Sequence, residues 1–471
     1  MTQRDTIVIG AGITGLTCAF QLRRRHIDAE VLECQNRVGG QIHTFHINGF
    51  TFESGPNTGV VKHPEVAELF EQLADKCQLE TALESSKRRL IWKDDRFHNL
   101  PSSLPTAIAT PLFTWKDKLR ILGEPWRKRG TDPNESVGSL AERRLGKSYV
   151  DYAVDPFLSG VYAGDPYKLP TRLALPKLYR LEQDYGSFIR GSIAKARQPK
   201  TDRDRKATKA VFSARGGFNK LVDALAEAIG ADRITTSARH IRVMPDGDGW
   251  MVSYEKDGET RAIRSRRVVT TCGSYSLPDL LPFVDRTVMA DLSNLRYAPV
   301  VQIGVGLCDT HYHDWLAFGG LVPSKERREV LGILFPSACF SGRAPENGAS
   351  LAYFMGGMRH PEMVGKSDEE LTEIVNRMLV DMLKYPVGTH PDTLRIFRHE
   401  RAIPQYEAST DRRIAAVERL RKLYPTLTIA GNLRDGIGIG DRIKQGCDVA
   451  ANENYEKGFG PVGLVEPVRP L

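Results

Sequence analysis

Near its amino terminus the chain carries a short β-branched run at residues 6–9, closed by Gly10-Ala11-Gly12-Ile13-Thr14-Gly15. Apolar residues then recur at Ile13, Leu16, Ala19, Phe20 and Leu22, the spacing of a single helix face. A second apolar run at 29–32 ends at Glu33, so the pattern predicts strand, tight turn, helix, strand. Further along, residues 211–230 read as a Gly-Gly turn and an amphipathic helix with Phe218, Leu221, Leu225, Ala228 and Ile229 on its apolar face. Residues 235–254 read as a hairpin turning at Gly247-Asp248-Gly249, and 266–271 as a buried strand. Between 300 and 354 short β-rich runs alternate with turn residues, which predicts a mixed sheet. Residues 100–191 are rich in Pro, Leu and aromatics, with helices expected at 115–122 and 137–149. The stretch 194–210 is so polar and basic that it reads as a mobile loop.

Composition narrows the class. With 471 residues, 41% hydrophobic and 26% charged, the chain has the make-up of an ordinary globular protein and is long enough for two or three interleaved domains. No apolar run reaches the length of a membrane span, and the first residues enter a strand without a secretory pattern. The expected location is cytoplasmic, with peripheral contact on the inner face of the membrane left open. Seven cysteines, scattered and without a CxxC pair, argue against a disulfide framework or a metal site. The net charge of +8 is locally dense at 87–89, 127–129 and 195–209. No recognition helix or RNA-binding signature accompanies it, so nucleic acid is not an expected partner.

The candidate chemistry lies in the first turn. Gly10 permits the turn, Gly12 lets backbone approach a pyrophosphate, and Gly15 lets the helix sit against the strand. Free amides at the helix start favour an anion. Glu33, eighteen residues past Gly15, can accept hydrogen bonds from both ribose hydroxyls. The glycines at 436–440 lack the strand and acid of a second fingerprint, so no separate pyridine-nucleotide domain is expected.

Arg37-Val38-Gly39-Gly40 resembles the RxGG element of glutathione-reductase-like FAD-binding proteins, and residues 49–58 resemble the segment beside the flavin in the amine-oxidase superfamily. Several segments jointly make the chain similar to the oxygen-dependent protoporphyrinogen oxidases. These are residues 10–15 with 33–40, residues 53–58, the string Asp155-Pro156-Phe157-Leu158-Ser159-Gly160-Val161-Tyr162-Ala163-Gly164-Asp165-Pro166, residues 318–323 with 331–332, residues 353–357 with 403–406, and residues 431–439. After Tyr406 the chain departs from the family, carrying Glu407-Ala408-Ser409-Thr410-Asp411 in place of a Gly-His pair, and no contact is carried over there.

The resemblance implies FAD as cofactor, contacted by Gly10, Ala11, Gly12, Ile13, Thr14, Gly15, Glu33, Arg37, Gly39, Gly40, Gly55, Pro56, Asn57, Thr58, Gly431, Ile437, Gly438 and Ile439. It implies substrate contacts at Arg89, where a guanidinium can grip a propionate, and at Gly160, Gly164, Met355 and Gly356. It assigns no catalytic side chain. The implied fold is α/β: a discontinuous Rossmann-like FAD-binding domain (1–80, 211–275, 395–471), a mixed-sheet substrate domain (81–99, 276–394) and a helical, membrane-docking lobe (100–210). In that lobe Leu112, Phe113, Trp115, Leu119, Ile121, Leu122 and Trp126 are interspersed with Lys116, Lys118, Arg120 and the 127–129 cluster. The implied reaction is the six-electron oxidation of protoporphyrinogen IX with dioxygen. Coproporphyrinogen III oxidation, another flavin oxidation of an amine or polyene, and a non-catalytic flavin or haem carrier stand as alternatives, and a homodimer is left open.

Overall fold

A computed structural model describes residues 2–199, 201–310 and 315–451. Two seven-stranded sheets organise it. In the first, strand Thr2–Ile9 lies between Ala29–Leu32 and Glu259–Thr270, parallel to both, with Ile234–Thr235 outside Ala29–Leu32 and Leu427–Ile429 outside Glu259–Thr270. Strand Glu259–Thr270 forks. Its first half pairs antiparallel with Gly249–Lys256, which pairs with Arg239–Asp246, so the expected hairpin and buried strand are one continuous meander. Its burial changes accordingly, from alternating at Ile263 and Ser265 to continuous at Val268, Val269 and Thr270, as a strand needs when both faces are covered. Val8 and Val31 face a core under helices Ile13–Arg24, Asn219–Ile229 and Ile439–Ala451. Ile7, Ile9, Leu32 and Val268 face the opposite core.

The second sheet runs Thr393–Pro404, Tyr297–Leu307, Ala349–Gly356, Gly332–Leu334, Gly319–Leu321, Arg89–Lys93, Arg96–Asn99. All its pairs are antiparallel except Gly319–Leu321 with Arg89–Lys93. The expected boundary between 394 and 395 falls inside strand Thr393–Pro404, which belongs to this sheet throughout. Residues 452–471 of the expected last segment lie outside the described residues.

The lobe at 100–210 is helical around a charged centre. Arg144, Glu124 and Glu182 are fully buried. Arg144 donates to Glu124 Oε1 at 2.6 Å, Glu182 Oε1 at 2.7 Å and the Gly186 carbonyl at 2.6 Å. Glu124 also accepts from Ser187 Oγ at 2.5 Å and Phe188 N at 2.9 Å. Burial opposes its ionisation, but the hydrogen bonds from Ser187, Phe188 and Arg144 outweigh that and hold its carboxyl below the usual range.

Two expectations for this lobe change. Leu112 and Phe113 are buried, packing near Ile91 and Tyr152, so they are no part of an exposed apolar face. The 194–210 stretch is not a plain loop: helix Phe188–Ala196 enters it and helix Asp202–Arg205 follows. Its basic side chains meet an acidic row on helix Pro64–Gln72, Arg203 with Glu65 at 2.8 Å and Glu68 at 2.9 Å, and Lys206 with Glu71 at 2.6 Å.

Candidate functional site

The glycine loop is built as its residue types require. Gly10 has φ of 102°, and a Cβ on Gly15 would lie 1.9 Å from the Gly10 carbonyl oxygen, so helix and strand meet at a separation only glycine allows. A Cβ on Gly12 would instead meet nothing within 4 Å. Helix Ile13–Arg24 begins at that open space with Gly12 as N-cap, no side-chain cap and no acidic residue in its first turn. Amides that no upstream carbonyl can satisfy therefore face the opening. Glu33, buried at the end of its strand, accepts from Ala11 N at 2.7 Å and Gln35 N at 2.8 Å. Cys34 Sγ also lies 3.4 Å from Oε1. A carboxylate has about four lone-pair sites, so Oε2 still has one for a ribose hydroxyl.

The 37–40 turn closes over this loop. Gly39 N donates to the Ala11 carbonyl at 2.8 Å, and a Cβ on Gly40 would come within 3.2 Å of Gly12 Cα. Arg37 donates to the carbonyls of Val38 at 3.1 Å, Gly40 at 2.7 Å and Ile42 at 3.0 Å, so its observed contacts brace the turn itself. Residues 53–57 are tied to the second sheet: Gly55 N donates to Gln302 Oε1 at 3.1 Å, Gln302 Nε2 to the Glu53 carbonyl at 2.5 Å, and Asn57 Nδ2 to the Gly55 carbonyl at 3.3 Å.

The carboxy-terminal glycines return to the same place. Gly431 packs on the Thr271 carbonyl, beside Gly10, and its N–H donates to Gln445 Oε1 at 2.8 Å. Tyr406 Oη donates to the carbonyls of Asn432 at 2.8 Å and Gly436 at 3.0 Å. Ile439 meets Gly59, and a Cβ on Gly446 would lie 2.7 Å from the Thr14 carbonyl, so the first and last described helices are in close contact. The glycine loop, Glu33 and Gly39–Gly40 are thus in mutual contact, with Gly431 beside them on Thr271.

On the other side, sheet register decides what faces the opening. Gln302, Phe354, Gly332, Leu321 and Ile91 form one cross-strand row, and Leu334, Gly319 and Arg89 share their face. Phe354, Leu334 and Leu321 are only half-buried. Met355 does not join them: its side chain is fully buried on the opposite face with Tyr353, Val301 and Leu379, whereas its neighbour Phe354 lies on this one.

The 155–166 string covers this face. A Cβ on Gly160 would meet Leu321 at 2.4 Å, and one on Gly164 would meet Gln405 at 2.5 Å. Ala163, at φ of 49°, ends helix Asp155–Tyr162, and its carbonyl accepts from Met358 N at 2.8 Å, just past Gly356 and Gly357. Arg359 pairs with Asp155 at 2.5 Å and Asp165 at 3.3 Å. Arg89 is exposed, 5.6 Å from the centre of the Phe318 ring, without an ion-pair partner among the described residues, whereas Arg88 is engaged with Asn99 at 3.1 Å.

The sequence model of flavin-containing amine oxidoreductases matches residues 13–452. The chain belongs to that family. It is 30% identical to protoporphyrinogen oxidase 1, chloroplastic, of Arabidopsis thaliana, over 96% of this chain and 88% of the relative. It is 25% identical to coproporphyrinogen III oxidase of Bacillus subtilis, over 94% and 96%. Among solved structures, a protein of Exiguobacterium sp. 255-15 superposes with a TM-score of 0.79 at 22% identity, over 97% of this chain and 100% of that one. Cyclohexylamine oxidase from Brevibacterium oxydans superposes at 0.68 with 17% identity, over 97% and 100%. These two superpositions show a shared mixed α/β fold. The residues gathered here fit the family's cofactor, FAD: open space at Gly12 before an uncapped helix end suits a pyrophosphate, and Glu33 has a lone pair for a ribose hydroxyl.

Proposed function

We propose that this chain is an FAD-dependent oxidase converting protoporphyrinogen IX to protoporphyrin IX with dioxygen as acceptor, in haem and porphyrin biosynthesis. The observation that carries the reading is the half-buried apolar face of Phe354, Leu334 and Leu321, with helix Asp155–Tyr162 packed on Leu321 through Gly160, and with Arg89, which has no ion-pair partner among the described residues, on that same face. A porphyrinogen is a broad apolar macrocycle with two propionates on one edge, and converting it to porphyrin removes six hydrogens in three two-electron steps. When bound, FAD would supply the two-electron oxidant each step needs, with dioxygen as the acceptor. The chain's own contribution is to exclude water, hold the macrocycle against one face and fix its carboxylate edge.

Aerobic incubation of the purified protein with protoporphyrinogen should produce porphyrin fluorescence well above the spontaneous rate. A yellow, fully loaded protein that leaves that rate unchanged would end the proposal. Arg89→Ala should raise KM at least tenfold with little change in kcat, since a hydrogen bond to a charged group contributes about 1.5–3 kcal/mol. Coproporphyrinogen III, which carries four carboxylates, is the alternative favoured by the Bacillus subtilis relative, and comparative kcat/KM separates the two.

We also assign the FAD-binding unit to residues 1–80 and 211–275 with the segment after Pro404, and the substrate unit to 81–99 and 276–404, a division supported by sheet membership. The lobe is read as a peripheral membrane contact. Helix Trp115–Leu122 has no buried residue, and Leu104, Trp115, Leu119, Leu122 and Trp126 are 64–78% exposed, beside the exposed Lys116 and Lys128. No helix among the described residues is long and apolar enough to cross a membrane. Leu119→Asp with Trp126→Asp should reduce co-sedimentation with anionic vesicles by tenfold or more, because burying one such side chain contributes about 1.5–3 kcal/mol. Unchanged co-sedimentation would refute the assignment.

A further inference from the structure

Asp441 lies in the first turn of helix Ile439–Ala451, and its Oδ2 accepts a hydrogen bond from Gly438 N at 3.1 Å. A helix N-terminus carries roughly half a positive charge. A full carboxylate placed there reverses the local sign, which would work against negative charge building up on anything lying along residues 436–439. The chain answers from the segment that follows Thr58: Lys62 Nζ is 2.7 Å from Asp441 Oδ2, and His63 Nε2 is 2.9 Å from Oδ1. Lys62 Nζ is also 3.7 Å from the point a Cβ on Gly438 would occupy, so the cation stands at the glycine segment as well as at the carboxylate.

The set is shielded enough to matter. The Asp441 side chain is 11% exposed, His63 21% and Lys62 37%. Burial opposes ionisation of Asp441, but the His63 hydrogen bond and the Lys62 charge outweigh it and hold the carboxyl below the usual range. Lys177 adds a further cation close by: burial lowers its pKa first, then the charges of Lys62 and Lys209, with Asp441 acting against them.

We propose that Lys62, anchored by Asp441 and His63, restores a net positive end to the last helix and thereby sets the reduction potential of the bound flavin. This rests on the reading that residues 436–439 face the isoalloxazine. Lys62 is a positioning charge: it stabilises the negative charge gained on reduction, and Asp441 limits that effect.

The test is an anaerobic reductive titration of the purified holoprotein against a dye of known potential, with FAD content read from absorbance. Lys62→Met should shift the reduction equilibrium at least tenfold toward oxidised flavin, about 30 mV more negative for a two-electron couple. Asp441→Asn, which keeps an acceptor for Gly438 N, should shift it the opposite way, and Lys62→Arg should stay near wild type. The double variant Lys62→Met with Asp441→Asn should return toward wild type. Unchanged midpoints in both single variants, or shifts in the same direction, with full FAD content, would overturn the proposal. Should Asp441→Asn fail to fold, Lys62→Met against Lys62→Arg decides the matter alone. Wild-type protein that cannot be loaded with FAD would overturn the cofactor reading instead.

Discussion

Gly15→Ala will yield a protein that does not retain flavin. The added methyl would stand 1.9 Å from the Gly10 carbonyl oxygen and 2.8 Å from Thr271 Oγ1, and the nearer of these is backbone that cannot rotate away. Relief requires helix Ile13–Arg24 to retreat from strand Thr2–Ile9 by more than an ångström, which draws the amides of its first turn away from the opening. It also disturbs the seat of Gly446 on the Thr14 carbonyl. Overpacking of this kind costs about 1–3 kcal/mol or more before the loss of ligand is counted. Flavin content follows from the ratio of visible to ultraviolet absorbance. Gly12→Ala is the informative partner: it has open room, so the apoprotein should keep its thermal stability while FAD occupancy falls. A yellow Gly15→Ala protein at wild-type stoichiometry would show that the loop is not the pyrophosphate seat.

Arg144→Met should cost about 3–5 kcal/mol in the helical lobe, because it leaves Glu124 buried without its cation, while Glu182 keeps only Arg143 at 2.9 Å. The effect should appear as an early urea transition in far-ultraviolet circular dichroism. The wild-type contribution also depends on pH. Glu124 has a folded-state pKa below its ordinary value, so its contribution is fully present above the ordinary carboxylate range and is lost as pH falls through the lowered pKa. Adding Glu124→Leu to Arg144→Met should recover part of the loss, since it removes one stranded charge. A first transition no earlier than wild type would mean that the triad adds nothing to the lobe's stability.

Local pattern was enough for the nucleotide loop, since each step of residues 6–33 depends on neighbours a few positions away. Strand 29–32 and helix 115–122 lie where their apolar spacing and capping residues place them. Met355 shows where such reading stops. Strand Ala349–Gly356 is buried along nearly its whole length, so no alternation marks which side faces the opening, and only pairing with Tyr297–Leu307 and Gly332–Leu334 fixes the parity. The basic stretch near 203 reads as a mobile loop because its partners Glu65, Glu68 and Glu71 are about 135 positions away in the chain. Asp441 and Lys62 are separated by 379 positions, and nothing in the local sequence of either names the other.

The seating of Gly446 on Thr14, together with Arg25 donating to the Ala450 carbonyl at 2.6 Å, has a consequence for biosynthesis. During translation the amino-terminal loop emerges first but lacks the wall that only the end of the chain supplies. Cofactor loading should therefore wait until helix Ile439–Ala451 has cleared the ribosome, and an arrested nascent chain ending before Gly431 should stay colourless however much flavin surrounds it.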